Sequence, residues 1–340
     1  SNTPNESEIP MILMNGGKLD ESGYVTFYVG EFHKGNVGLA AYDVVGNIIW
    51  SWHIWFTDKP EDKQSGNYSL MDRFLGATFA PTITKGNSIT FTIDDKRNQL
   101  LATYGFYYQW GKKDPFFGPP TVNAGNQNNT NCSTYWRKAY NGDWDDSNTI
   151  DTAGQVRVCD APATPLTFRK RSGGATGDGS YWFTDDFRVN KREQNMWGYG
   201  QTGGGEGQGI TKTMHDPCPP GYMAMYHQVW HVSNDNTYVG TSNGSKALNE
   251  DSSENSYHNN GIVLTNSEFD LAWYPFTGYR QGDSGGLTGV GTNGAIFTCM
   301  PYNTSNSNHS EGRYYRYSKT ETRNTHTGVA IAKAVRCMKE

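Results

Sequence analysis

Charge is scarce in this chain of 340 residues. Asp, Glu, Lys and Arg make up only 19%, and 29 basic against 34 acidic residues leave a net charge of -5. Such a balance offers no basic stripe to neutralise a phosphate backbone, so nucleic acid is excluded as an expected partner. No apolar run approaches the roughly 18 residues of a membrane-spanning helix, and no cationic amphipathic segment suits a membrane surface. The five cysteines, Cys132, Cys159, Cys218, Cys299 and Cys337, form no CxxC pair. That spacing argues against zinc and redox dithiols and for structural bridges, with at least one thiol left over in a monomer. Convincing helical periodicity and a fixed repeat are missing too. The polar stretch from Ser1 to Glu8 is no export signal, so a leader is expected to have been removed or left out.

Aromatic residues, by contrast, reach 14%, with 10 Trp, 21 Tyr and 15 Phe. This excludes intrinsic disorder, and 40 glycines spread without a triplet period point to many turns and short strands. Asn, Ser, Thr, Gly and Tyr supply most of the polarity, as on many extracellular binding surfaces. Gly23 to Val29 has strand composition, and Val37 to Tyr42 followed by Ile48 to Phe56 predicts a hairpin turning at Gly46-Asn47. The aromatic run Tyr104 to Trp110 reads as core. Between Gly118 and Gly209 the chain is irregular, rich first in Asn, then Asp, then Gly, and loops of that length are commonly functional. Met223 to Val232 is the best helical candidate of the second half.

Several motifs invite chemistry. Gly282-Asp283-Ser284-Gly285-Gly286 matches a serine-protease nucleophile loop, but no histidine stands in a matching context, and a turn is the simpler expectation. Gly203 to Thr213 lacks the Gly-Lys-Ser/Thr succession of a phosphate loop. Asp143, Asp145 and Asp146 place carboxylates where a calcium ion would find oxygen ligands, although an EF-hand spacing is absent. His227 and His231 would share a face on a helix, with no third metal ligand in sight. Tyr181-Trp182-Phe183 lies in the irregular region, where exposed rings stack well on sugars or protein partners.

Eight segments, in order, resemble the FISUMP (Fibrobacter succinogenes major paralogous) domain, abundant in gut Bacteroidetes and found in fimbrillin-like, pilus-tip and surface lipoproteins. They are Ile48 to Thr57, Met71 to Thr78 (MDRFLGAT), Tyr104 to Pro115, Pro165 to Phe168, Met196 to Gly198, Asp216 to Tyr222 (DPCPPGY), Tyr274 to Arg280 (YPFTGYR) and Ala334 to Glu340 (AVRCMKE). The resemblance implies an α+β, loop-rich, C-type-lectin-like or formylglycine-generating-enzyme-like domain over 61–340, preceded by an amino-terminal β-extension over 1–60, itself a candidate remnant of a fimbrillin-like domain. It also implies a Cys218 to Cys337 bridge, leaving Cys132 to pair with Cys159 and Cys299 free. The calcium-and-sugar triplets of C-type lectins are absent, and the catalytic cysteine pair of the enzyme branch has no counterpart here. Asp151-Thr152-Ala153 resembles a Bacteroidetes O-glycosylation signal at Thr152.

The function expected on these grounds is a non-catalytic adhesion module or pilus-tip subunit, exported to the cell surface or fimbrium, with no membrane span. Its partners would be other pilus subunits and a host or bacterial protein or glycan. Trp144, Tyr181, Trp182 and Asp185 are the expected ligand contacts. Carbohydrate binding with calcium at Asp143, Asp145 and Asp146 is the alternative; otherwise no cofactor is expected.

Overall fold

The computed structural model describes residues 12–13, 25–83, 89–90, 96–122, 125–127, 136–137, 144–145, 150–172, 181–184, 196–199, 210–230, 255–258, 260–266, 269–302 and 311–340. The expected hairpin forms. Gly35–Tyr42 pairs antiparallel with Ile48–Phe56, and its turn closes through Asp43, whose carboxylate accepts from Val45 N and Asn47 N. Gly46 takes φ 91 there, a conformation that only glycine adopts freely. The hairpin is a sheet of two strands by itself.

Two larger sheets form the body. One runs in the order Tyr222–Ala224, Cys337–Lys339, Tyr68–Met71, Asp62–Ser65, Phe269–Pro275, Gly261–Asn266 and Asn255–His258. The other runs Gly125–Gln127, Leu287–Val290, Tyr279–Arg280, Ala332–Val335, Asn293–Tyr302, Glu311–Ser318 and Thr322–Gly328, with Tyr107–Gln109 also paired to Ala332–Val335. Between them Trp230 packs 5.0 Å from the Tyr274 ring of the first sheet and 4.3 Å from Tyr315 of the second. Such aromatic contacts contribute about 0.5–1.5 kcal/mol each beyond area burial. The outer face of the second sheet is partly covered by Trp110, Trp182 and Trp197. Their indole N–H groups donate to Thr298 O, Trp110 O and Lys112 O, so burial leaves none of the three unsatisfied.

The chain switches sheets at Arg336, between Ala332–Val335 and Cys337–Lys339. Its fully buried guanidinium donates to Met71 O at 2.6 Å and Trp273 O at 3.2 Å and lies 4.2 Å from the Tyr274 ring centre. Arg280 is equally buried and donates to the carbonyls of Phe117 and Gly285. Cys218 and Cys337 are bonded across 119 residues of chain, which in the chain-entropy account stabilises by about 4–5 kcal/mol.

The α+β expectation is overturned. Among the described residues strand makes up 46% and helix 8%, so the fold is β-rich rather than C-type-lectin-like α+β. Among the described residues the single α-helix is Lys96–Ala102. The helical candidate beginning at Met223 is instead the strand Tyr222–Ala224, with Met223 opposite Met338, followed by the 3-10 turn His227–Trp230. Tertiary pairing beside the disulfide outweighs whatever local helix preference that short segment has.

Candidate functional site

The hairpin docks on the body through polar contacts. Asn36 Nδ2 donates to Gly76 O at 3.0 Å and Trp55 Nε1 to Ala77 O at 3.1 Å, so the MDRFLGAT segment supplies backbone acceptors. Ser51 Oγ donates to Asp114 Oδ1 at 2.6 Å. Lys113 Nζ donates to Ser51 Oγ at 2.5 Å, to Ser51 O at 2.7 Å and to Asp114 Oδ1 at 2.7 Å, and it lies 4.5 Å from the Trp50 ring centre. Beside this cluster His53 Nε2 meets Asn36 Oδ1 at 2.8 Å and His53 Nδ1 meets the Tyr108 hydroxyl at 3.1 Å. Asn36 Oδ1 can only accept, so Nε2 carries the proton and Nδ1 accepts from Tyr108. This is the neutral imidazole. Burial pushes its pKa down to about 4 against the upward pull of Asp114.

A small, open concavity adjoins the junction, lined by Lys112, Lys113, Asp114, Pro162, Trp182 and His215 among others. Lys112 Nζ donates to Thr167 O at 3.2 Å and lies 5.0 Å from the Phe116 ring centre; burial pushes it down to about 8. Burial, and then Lys113, also lower the His215 imidazole. The Ser51 hydroxyl has its proton held by a carboxylate and a lone pair taken by an ammonium. Lys113 has a counter-ion in Asp114. This geometry clamps the hairpin and leaves Ser51 no free base.

Of the four residues expected to contact ligand, the described residues place the side chains of two, Tyr181 and Trp182. Tyr181 is 4% exposed and Trp182 1%, so both are core rather than contacts. Val156 bonds to the backbone on both sides of Phe183, with Val156 N donating to Trp182 O and Thr184 N to Val156 O, which turns these rings inward against Trp110. Trp144–Asp145 pairs with Trp136–Arg137 as a short strand, but the side chains of Trp144 and Asp145, like all of Asp143, Asp146 and Asp185, lie outside the described residues. Thr152 is exposed on a short strand parallel to Phe168–Arg169. Cys159 is a free, exposed thiol, and Cys132 lies outside the described residues; Cys299 is free and buried.

Ser284 Oγ donates to Asp283 Oδ1 and accepts from Gly286 N, which makes the GDSGG string a turn. Lys212 of the glycine-rich stretch is committed to Asp216 Oδ1 and Cys218 O. His231 lies outside the described residues.

No family model, no curated protein and no solved structure matches this chain. Sequence reasoning passed over Ser51 with Lys113 and Asp114, since the serine stands 62 and 63 residues from the other two across the junction. The adjacent Lys-Lys-Asp of the YGFYYQWGKKDP segment was the one local sign of a charge cluster. At the far end of the same hairpin, Tyr42, Val44, Val45 and Ile49 point outward, with Val45 77% exposed and Val44 fully so.

Proposed function

We propose that this protein is a non-catalytic adhesion module of a bacterial cell surface, a pilus-tip subunit or surface lipoprotein that meets other subunits and a host or bacterial ligand. The observation that carries the reading is the hairpin Gly35–Tyr42 and Ile48–Phe56. One end is clamped to the body, the other exposes four large apolar side chains, and neither edge bears a further strand among the described residues. Open edges with apolar tips accept a strand from another chain. The ordered motifs that resemble the FISUMP domain support the same assignment, and the Cys218–Cys337 bond suits an oxidising, extracellular compartment.

The double substitution Val44→Glu with Val45→Glu tests it. Both side chains are solvated, so the melting temperature should hold while association with partner subunits at the cell surface is lost; unchanged assembly would sink the reading. A glycan array run with and without chelator separates sugar recognition, calcium-assisted or not, from protein-directed adhesion.

A further inference from the structure

The outer face of the second large sheet is divided by Phe297. On one side Trp197 covers it, 6.0 Å from the Phe297 ring centre; on the other, four strands present Tyr279, Lys333, Tyr314, Arg316, Thr325 and Arg323. The register brings these together. Arg316 stands directly opposite Arg323, Tyr314 opposite Thr325, and small Ala295 opposite Arg316 on its other flank. Lys333 Nζ lies 3.9 Å from the ring centre of Tyr314, 4.3 Å from Tyr279 and 5.5 Å from Phe297.

The charges do not balance. Among the described residues, the one carboxylate within ion-pair distance of these three cations is Glu321, at 3.6 Å from Arg316 Nε. Like charges directly opposite on paired strands are destabilising. The Nε atoms of both Arg316 and Arg323 are buried without a hydrogen-bond partner, a cost that folds normally avoid. Burial and Arg316 together hold the Lys333 amine well below its ordinary value, a tension that an arriving anion relieves. Elsewhere in the body Arg280 and Arg336 each reach two backbone carbonyls, although Arg336 Nη2 too is left without a partner.

We propose that this face binds an acidic saccharide, with a sulfate or carboxylate seated between Arg316 and Arg323 and the sugar ring against Tyr279 and Tyr314. Guanidinium pairs match planar or tetrahedral oxyanions, and half-buried tyrosine rings offer flat apolar surface to a sugar. Three cations on a chain of net charge -5 suit one anionic group and repel a long polyanion. The inference rests on the reading of the chain as a binding module, but not on the hairpin.

The test is direct binding of the full chain to four probes: sulfated lactose, sialylated lactose, lactose and a polyglutamate peptide. One or both acidic sugars should bind, weakening as salt rises, and lactose should not; which of the two binds names the anion. The Arg316→Gln/Arg323→Gln variant should bind about tenfold or more weakly with its melting temperature retained. Arg323→Gln alone, on the edge strand Thr322–Gly328, is the second variant should the double one misfold, and it should weaken binding in the same direction. Failure of both acidic sugars, equal binding of lactose, polyglutamate binding as tight as the sugars, or wild-type affinity in the folded variants would each overturn the proposal. The Val44→Glu/Val45→Glu protein should keep its sugar binding, so failure of the hairpin reading and failure of this site are told apart.

Discussion

Four arginines divide the molecule into two regions that obey different rules. Arg336, where the chain switches sheets, and Arg280, on a strand of the second sheet, are both buried and donate to the carbonyls of Met71 and Trp273 and of Phe117 and Gly285. Arg316 and Arg323 sit on the outer face, opposite one another, each with a buried Nε that has no hydrogen-bond partner among the described residues, the Arg316 one keeping an ion pair to Glu321 at 3.6 Å. The same side chain is a structural rivet in the first region and a held-open donor in the second. What separates them is carbonyls within reach, two for each rivet, even though Arg336 Nη2 also goes without a partner. The hairpin junction is a third region, closed by charges and a neutral histidine.

Removing a rivet should cost most. Arg336→Ala opens a cavity under Tyr274 and strands two carbonyls, so chemical denaturation should show a loss of about 3–5 kcal/mol. If it costs under about 1 kcal/mol, the distinction between the regions fails.

The junction should respond to acid. The His53 pKa is about 4 in the fold against 6.5 unfolded, so between those values the unfolded chain binds the proton first. Stability therefore falls as pH drops, by about 2 kcal/mol between pH 6.5 and about pH 5. Denaturation midpoints across that window check it, and His53→Gln should flatten the slope.

The outer face should respond least, and in the opposite sense. Arg316→Gln/Arg323→Gln removes a like-charge contact, so stability should stay level or rise by up to about 0.5 kcal/mol. A loss comparable with that of Arg336→Ala would make these arginines structural and erase the comparison.

Legibility from sequence followed contact range. The hairpin was readable because alternation and a Gly-Asn turn are local, and Tyr104 to Trp110 was readable as core because so many rings find no place in water. Resemblance, not spacing, pointed to the Cys218–Cys337 pairing. The region beginning at Met223 misled, since its strand exists through a partner more than a hundred residues away. Tyr181 and Trp182 misled in the same way: their glycine-rich surroundings suggested a loop surface, whereas bonds to Val156 fold them inward.

By itself the sequence determined a turn-rich, aromatic-rich chain with little charge, no phosphate-binding stripe and a hairpin near its start. These depend on composition and on neighbours within a few residues. Only the tertiary structure decided that the fold is β-rich, which arginines find carbonyls, and that Lys333, Arg316 and Arg323 share one face. Strand register sets those meetings, and register is a property of pairs of distant segments that neither segment encodes alone.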